Sequence, residues 1–135
     1  MKEIRLTGKT IVITGASSGA GRAAAVEFAQ YRPNLVLASR NIEALEEVAH
    51  ECREFGAEVL TVETDVTDPK AMIALANAAN DWHNRIDVWI NNAGVLAAGD
   101  FDITPMEVHE QVIKTNLLGY ILFIMQLKVC TGILV

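Results

Sequence analysis

The chain is poor in the residues that mark several common functions. Its two cysteines, Cys52 and Cys130, have neither metal-ligand nor redox spacing. That excludes a zinc knuckle or a Cys-x-x-Cys centre and fits two reduced thiols in a cytosolic protein. Positive charge is scarce: 11 lysines and arginines stand against 17 acids, for a net charge of −6 with no basic stripe. Nucleic acid is therefore not expected as a main partner. The histidines His50, His83 and His109 are scattered, and a surface position is expected for each. An uninterrupted apolar run of ~20 residues, as a membrane span requires, is absent. Residues Leu117 to Val135 are mostly apolar, but Gly119, Gln126, Lys128 and Gly132 interrupt them, so a helix buried in the core or in a subunit interface is expected instead. Met1-Lys2-Glu3-Ile4-Arg5 carries no signal-peptide pattern, and a cytoplasmic location is expected. There is no repeat, linker or low-complexity tract. A length of 135 residues with 51% hydrophobic and 21% charged content fits one globular domain over 1–135 rather than a disordered chain.

What is present begins with a glycine-spaced loop, Thr14-Gly15-Ala16-Ser17-Ser18-Gly19-Ala20-Gly21. A β-branched run, Thr10 to Thr14, enters it, and an alanine-rich helical segment, Gly21 to Tyr31, leaves it. A strand, a glycine turn and a helix N-terminus in that order make a phosphate cradle. Gly15 turns the chain where positive φ is cheap only for glycine. Gly19 lets the backbone come close to a pyrophosphate, and Gly21 lets the helix pack tightly on the sheet. Ser17 and Ser18 add hydroxyl donors, with Ala20 between the last two glycines. The plainer reading is a glycine-rich turn without a ligand.

Apolar strands and helical patterns then alternate. Strands are expected at Asn34–Ser39, Glu58–Glu63 and Asp87–Asn91, and helices at Asn41–Phe55, stopped by Gly56, and from Asp68-Pro69 to about His83. Thr104-Pro105-Met106-Glu107 reads as a capping box with proline at the first helical position, opening a long helix over Thr104–Lys128. Short, continuously apolar strands between helices imply an α/β fold: a Rossmann-type, doubly wound parallel sheet with helices on both faces.

Four segments in this order, TGASSGAG at 14–21, Thr64-Asp65-Val66-Thr67, Asn91-Asn92-Ala93-Gly94 and Thr115-Asn116-Leu117-Leu118-Gly119, resemble the short-chain dehydrogenase/reductase family. The resemblance covers about residues 7 to 120 and implies an oxidoreductase that moves hydride between a nicotinamide cofactor and a small-molecule carbonyl or alcohol. It implies that Asp65 accepts from the adenine amino group, with the Val66 backbone beside it. An exposed acid closing a strand is the alternative. Asn92, Ala93 and Gly94 would lie along the cofactor ribose, and the same turn would end the central strand. The end of the second strand selects the cofactor. An acid there would bond both ribose hydroxyls of NAD; Ser39-Arg40 stands there instead. Arginine can fork onto a 2′-phosphate, so NADP(H) is expected over NAD(H), with Glu43 able to weaken that preference if it points inward.

In the family a serine orients the substrate carbonyl, a tyrosine is the general acid or base, a lysine tunes it, and an asparagine supports the proton relay. Asn116 matches the asparagine. No serine follows Ser39, and the residues four beyond Tyr31 and Tyr120 are Leu35 and Ile124, so no Tyr-x-x-x-Lys is present. The expectation is the N-terminal, cofactor-binding portion of the fold with an incomplete C-terminal half, inactive as these 135 residues. Gly132–Val135 is either the start of the next strand or part of a segment, from about Phe123, that departs from the family pattern. An unprotected sheet edge and the apolar 104–128 helix imply self-association. The alternatives are a non-catalytic NADP(H)-binding module paired with a full-length partner, a methyltransferase-type nucleotide fold, against which Ser39-Arg40 argues, and a sequence that does not fold by itself.

Overall fold

A computed structural model describes residues 5–121. The expected features at Phe123–Lys128, Cys130 and Gly132–Val135 lie outside the described residues. The strands are β1 (Thr10–Thr14), β2 (Asn34–Ser39), β3 (Glu58–Glu63) and β4 (Val88–Ile90). All neighbours pair in parallel, in the order β3-β2-β1-β4. The helices are α1 (Gly19–Ala29), α2 (Ile42–Glu54), α3 (Pro69–His83) and α4 (Met106–Ile113), and α4 runs on into a π-helical turn, Lys114–Leu118.

Side-chain alternation on the strands builds a layer on each face. Ile11, Ile13, Leu35 and Leu37 point to one face, where they meet Ala25 and Ala29 of α1 and Leu45, Val48 and Ala49 of α2. Val12, Val36 and Ala38 point to the other and meet Met72, Leu75 and Ala79 of α3. All seven of these strand residues are fully buried, which is why β1 and β2 read as continuous apolar runs. On α1 the buried residues Gly21, Ala25 and Ala29 fall four apart, a stripe of small side chains that lets this helix lie close to the sheet.

Two helix starts follow the capping rules. Asn41 Oδ1 accepts from Ala44 N at 3.0 Å, and Asp68 Oδ1 accepts from Lys70 N at 2.9 Å, with Pro69 at the first position of α3. Two starts differ from expectation. Helix α1 begins at Gly19 rather than Gly21, so its first turn is part of the glycine loop. The capping box at 104–107 does not form. The Thr104 hydroxyl donates to Asp100 O at 2.8 Å and its amide donates to the same carbonyl at 3.2 Å, closing a local turn. The hydroxyl faces back towards Asp100 and accepts from no α4 amide among the described residues, and α4 starts at Met106 behind Pro105.

His50 is exposed and His109 is partly exposed, as a surface position implies, whereas His83 is more covered than His50. His109 packs on Phe101 with ring centroids 4.5 Å apart. His83 is half-buried, its Nε2 3.2 Å from Glu58 Oε2 yet off-line for a hydrogen bond. Burial pushes the Cys52 thiol up to about 11, so it stays protonated and unreactive at neutral pH. No helix among the described residues is long and apolar enough to cross a membrane.

At the amino end of the sheet, Asp87 joins β1 to the start of β4. Its Oδ2 accepts from Thr10 N at 2.9 Å, and its Oδ1 accepts from Lys9 Nζ at 3.3 Å and from Arg85 Nη2. Burial opposes the charge on Asp87, but the bonds from Arg85, Thr10 N and Lys9 outweigh it and hold the carboxyl below its usual range. A depressed folded-state pKa means stability that is complete above the unfolded value, ~3.9 for aspartate, and is lost as pH falls through the folded value. Acid melting should therefore steepen below about pH 4, and Asp87→Asn should flatten that part of the pH–melting curve while lowering the midpoint at pH 7. Next to it, Thr10 Oγ1 is buried without a hydrogen-bond partner among the described residues. Thr10→Val keeps the shape and removes the unsatisfied hydroxyl, and should stabilise the fold by about 1 kcal/mol in chemical denaturation.

Candidate dinucleotide site

Four strand ends converge on one side of the sheet. The chain leaves β1 towards β2 and β3 on one flank and returns to β4 on the other, so the strand order reverses beside β1. A crevice opens at such a reversal, outside the carboxyl ends of the strands. Here it is a cavity of about 610 Å³. Gly15, Ser17, Ser18, Gly19 and Ala20 line it from the loop after β1, and Ser39, Arg40 and Asn41 from the end of β2. Thr64, Asp65 and Val66 follow β3; Asn92, Ala93, Gly94 and Val95 follow β4; Thr115 comes from the π-helical turn. Of the residues singled out in the sequence, Gly21 and Asn116 are not on the wall.

Gly21 shapes the wall from behind. A Cβ on it would run into the Gly15 carbonyl oxygen and Asn92 Nδ2. Gly15 has φ +65°, and a Cβ there would stand 2.7 Å from Ala93 Cα. The loop after β1 and the turn after β4 are thus in backbone contact, which only glycine allows. Asn92 Nδ2 fastens them by donating to Gly15 O at 3.1 Å.

Thr14 carries a role that no expectation assigned to it. Its buried Oγ1 accepts from Asn92 N at 3.1 Å and Ala93 N at 3.2 Å and donates to Ile90 O at 3.4 Å. One hydroxyl at the end of β1 therefore sets the path of the Asn91–Gly94 turn. A threonine ending a β-branched run looks like any other strand residue, so only the tertiary contact reveals it. Asn116 works in the same way. Its Nδ2 donates to Val95 O and its Oδ1 accepts from Val95 N, both at 2.8 Å. That two-point clamp commits both polar atoms of the side chain to the Val95 backbone, behind the cavity wall.

The donors and acceptors that remain suit a nucleotide. Helix α1 starts at the cavity, and its first internal bond is Arg22 N to Ser18 O at 3.2 Å. The amides of Gly19, Ala20 and Gly21 precede that bond, Ser18 makes no side-chain cap, and the first turn holds no acid. Uncommitted amides at a positive helix end favour a phosphate. Gly19 has φ +54° and open space where a Cβ would be, so the backbone itself faces the cavity. Asp65 Oδ1 accepts from Thr67 N at 2.9 Å and Thr67 Oγ1 at 2.7 Å. Those bonds, chiefly the Thr67 hydroxyl, hold the carboxyl below its usual range despite partial burial, with the Arg40 charge adding to the effect. Asp65 is thus a charged acceptor whose Oδ2 is open to a ligand amino group. Ser39 is less free than expected: its Oγ donates to Asn41 O at 3.1 Å and accepts from Asn41 N at 3.2 Å. Arg40 is exposed at the rim with no ion pair among the described residues, and Glu43 is exposed and off the wall. The residues present therefore fit a nicotinamide dinucleotide: amides and serines for the pyrophosphate, Asp65 for a purine amino group, and a cation beside the adenosine ribose. No group of acids, histidines and cysteines able to hold a metal occurs among the described residues.

Parallel strands in the order β3-β2-β1-β4, helices on both faces and a glycine cradle at the reversal define a Rossmann-type nucleotide-binding fold. Residues 9–128 match the short chain dehydrogenase family, and the chain belongs to that family, whose NAD(P)-binding oxidoreductase fold it carries. It is similar to an NADP-dependent 3-hydroxy acid dehydrogenase of Schizosaccharomyces pombe, 40% identical over 119 residues that cover 85% of this chain and 46% of that protein. A short chain dehydrogenase/reductase of Burkholderia phymatum, solved in complex with NAD, superposes with a TM-score of 0.88 at 34% identity, over 95% of this chain and 46% of the other. A metagenomic short-chain oxidoreductase in complex with NADP gives 0.84 at 31% identity, over 91% and 56%. The chain thus spans about half the length of these relatives.

Proposed function

We propose that this chain is the NADP(H)-binding domain of a short-chain oxidoreductase, a single domain over 1–135, serving carbonyl reduction or the reverse alcohol oxidation by hydride transfer. The observation that carries the choice of cofactor is Arg40 at the cavity rim after β2, with no acid at the end of that strand. The bound dinucleotide supplies the hydride. The chain's own residues do the holding: first-turn amides of α1 with Ser17 and Ser18 at the pyrophosphate, Asp65 at the adenine amino group, Arg40 at the 2′-phosphate, and Asn92 to Gly94 along the ribose. The S. pombe relative is described as NADP-dependent, which supports the reading, while structures of similar fold hold NAD or NADP.

These 135 residues contain no serine after Ser39 and no Tyr-x-x-x-Lys, so they hold cofactor without turning it over. Calorimetric titration of the chain should give tighter binding of NADPH than of NADH, and no NADPH oxidation with simple aldehydes or ketones. Equal affinities would remove the NADP(H) preference, and turnover at an enzymatic rate would remove the claim of inactivity.

A second reading, a binding module that associates with itself or a full-length partner, is favoured by apolar side chains left uncovered: Leu96, Phe101, Ile103, Met106, Ile113 and Leu117 are each more than half exposed. Light scattering across a concentration series should show growing mass. A monomer at every concentration would contradict it.

A further inference from the structure

Thr115 brings a hydroxyl to the cavity. It is only 7% exposed and lies on the cavity wall. A helical threonine ordinarily donates its proton to a carbonyl three or four residues back. Thr115 sits in the π-helical turn, where carbonyls step out of the α register, and it makes no such bond among the described residues. Instead its Oγ1 accepts from Gln111 Nε2 at 3.0 Å. An amide NH2 can only donate, so this contact fills a lone pair and leaves the hydroxyl proton uncommitted. That proton is therefore available to an acceptor on a ligand in the cavity. The helix passes close to Val66: one turn beyond Thr115, a Cβ on Gly119 would be 3.1 Å from Val66 O. Next to Val66 stands the Asp65 carboxylate, an acceptor. A donor and an acceptor on one wall complement a heterocycle that offers both an amino group and ring nitrogens.

We propose that Thr115, its hydroxyl oriented by Gln111, donates a hydrogen bond to an acceptor on the adenosine half of the bound dinucleotide. This rests on the reading of the cavity as a dinucleotide site, and it makes a different prediction from the Arg40 argument. Arg40 acts only where a 2′-phosphate is present, whereas Thr115 acts on NADPH and NADH alike.

The test is calorimetry on the full chain with NADPH, NADH, AMP and nicotinamide mononucleotide. Thr115→Val should weaken the two dinucleotides and AMP together by about fivefold, the weight of one neutral hydrogen bond, and leave nicotinamide mononucleotide unchanged. Thr115→Ser should stay near wild type. Gln111→Glu replaces the donor with an acceptor, draws the hydroxyl proton away from the cavity, and should weaken AMP by a similar factor. Melting of each variant establishes that it is folded, and Gln111→Glu and Thr115→Ser carry the test if the valine variant is not. Unchanged AMP affinity in folded Thr115→Val, or in Gln111→Glu, overturns the proposal, as does a loss confined to nicotinamide mononucleotide. Failure of the wild-type chain to bind any of the four overturns the cavity reading and this proposal with it.

Discussion

Gly21→Ala should cost about 3 kcal/mol of stability, at the upper end of overpacking penalties, and lower the melting midpoint on the order of 10 °C. The added methyl meets the Gly15 carbonyl oxygen and Asn92 Nδ2, and the Gly15 carbonyl carbon at 2.9 Å. Neither the carbonyl nor the amide can yield alone. The carbonyl belongs to a residue already held at φ +65° against Ala93, and Asn92 Nδ2 is bonded to that same carbonyl at 3.1 Å. Relieving the clash therefore means lifting α1 off the sheet. Gly19→Ala is the informative contrast. A Cβ there meets nothing within 4 Å, so its folding penalty is the positive φ alone, about 1–2 kcal/mol. Its methyl would stand where a phosphate should lie. The expected outcome is a split: Gly21→Ala damages stability first, Gly19→Ala damages dinucleotide binding first. Thermal melting and titration of both variants check it. Equal behaviour of the two would mean that the loop is a structural turn only.

Arg40→Ala should weaken NADPH by about 10- to 30-fold, the lower part of the range of a charge-assisted hydrogen bond because the site is exposed, and leave NADH within about twofold. Arg40 is exposed and lies near the Asp65 carboxylate, whose charge it favours. A cation so placed meets a 2′-phosphate without the cost of burial, and salt screens the contact. The preference of the wild type for NADPH should accordingly shrink as ionic strength rises, while NADH binding changes less. Arg40→Asp should reverse the preference, because an acid repels the phosphate and accepts from ribose hydroxyls. If the variant and the wild type discriminate equally, another residue sets the preference.

The centre of the sheet was readable because β1 and β2 are buried on both faces, whereas β3 and β4 are only partly covered. The bounds of β1, β2 and β3 coincide with apolar or β-branched runs between glycine, proline, asparagine and acidic residues, and parallel pairing follows from the helices between them. The cavity was readable in its parts: Gly15, Arg40, Asp65 and Asn92 each end a strand or follow one. Their meeting was not, because it depends on β4 returning to the far side of β1, and no local pattern encodes strand order. The same limit hid Thr14, whose partners lie 76 to 79 residues away, and the clamp of Asn116 on Val95, 21 residues away. Thr104 failed for a different reason. Its hydroxyl can bond forward to cap a helix or backward to Asp100, and the sequence contains both partners. Ser39 likewise has a competing local acceptor and donor in the Asn41 backbone, which took the hydroxyl expected to serve a ligand.

The most direct measurement of the central claim is the amide spectrum of the 15N-labelled chain during titration with NADPH. Binding in the cavity predicts saturable shifts concentrated at Ser17–Gly21, Arg40, Asp65–Val66, Asn92–Val95 and Thr115, with residues at the opposite end of the sheet, such as Thr10 and Asp87, unmoved. Shifts absent at millimolar cofactor, or centred on the exposed apolar residues around Leu96 and Phe101 instead, would contradict it.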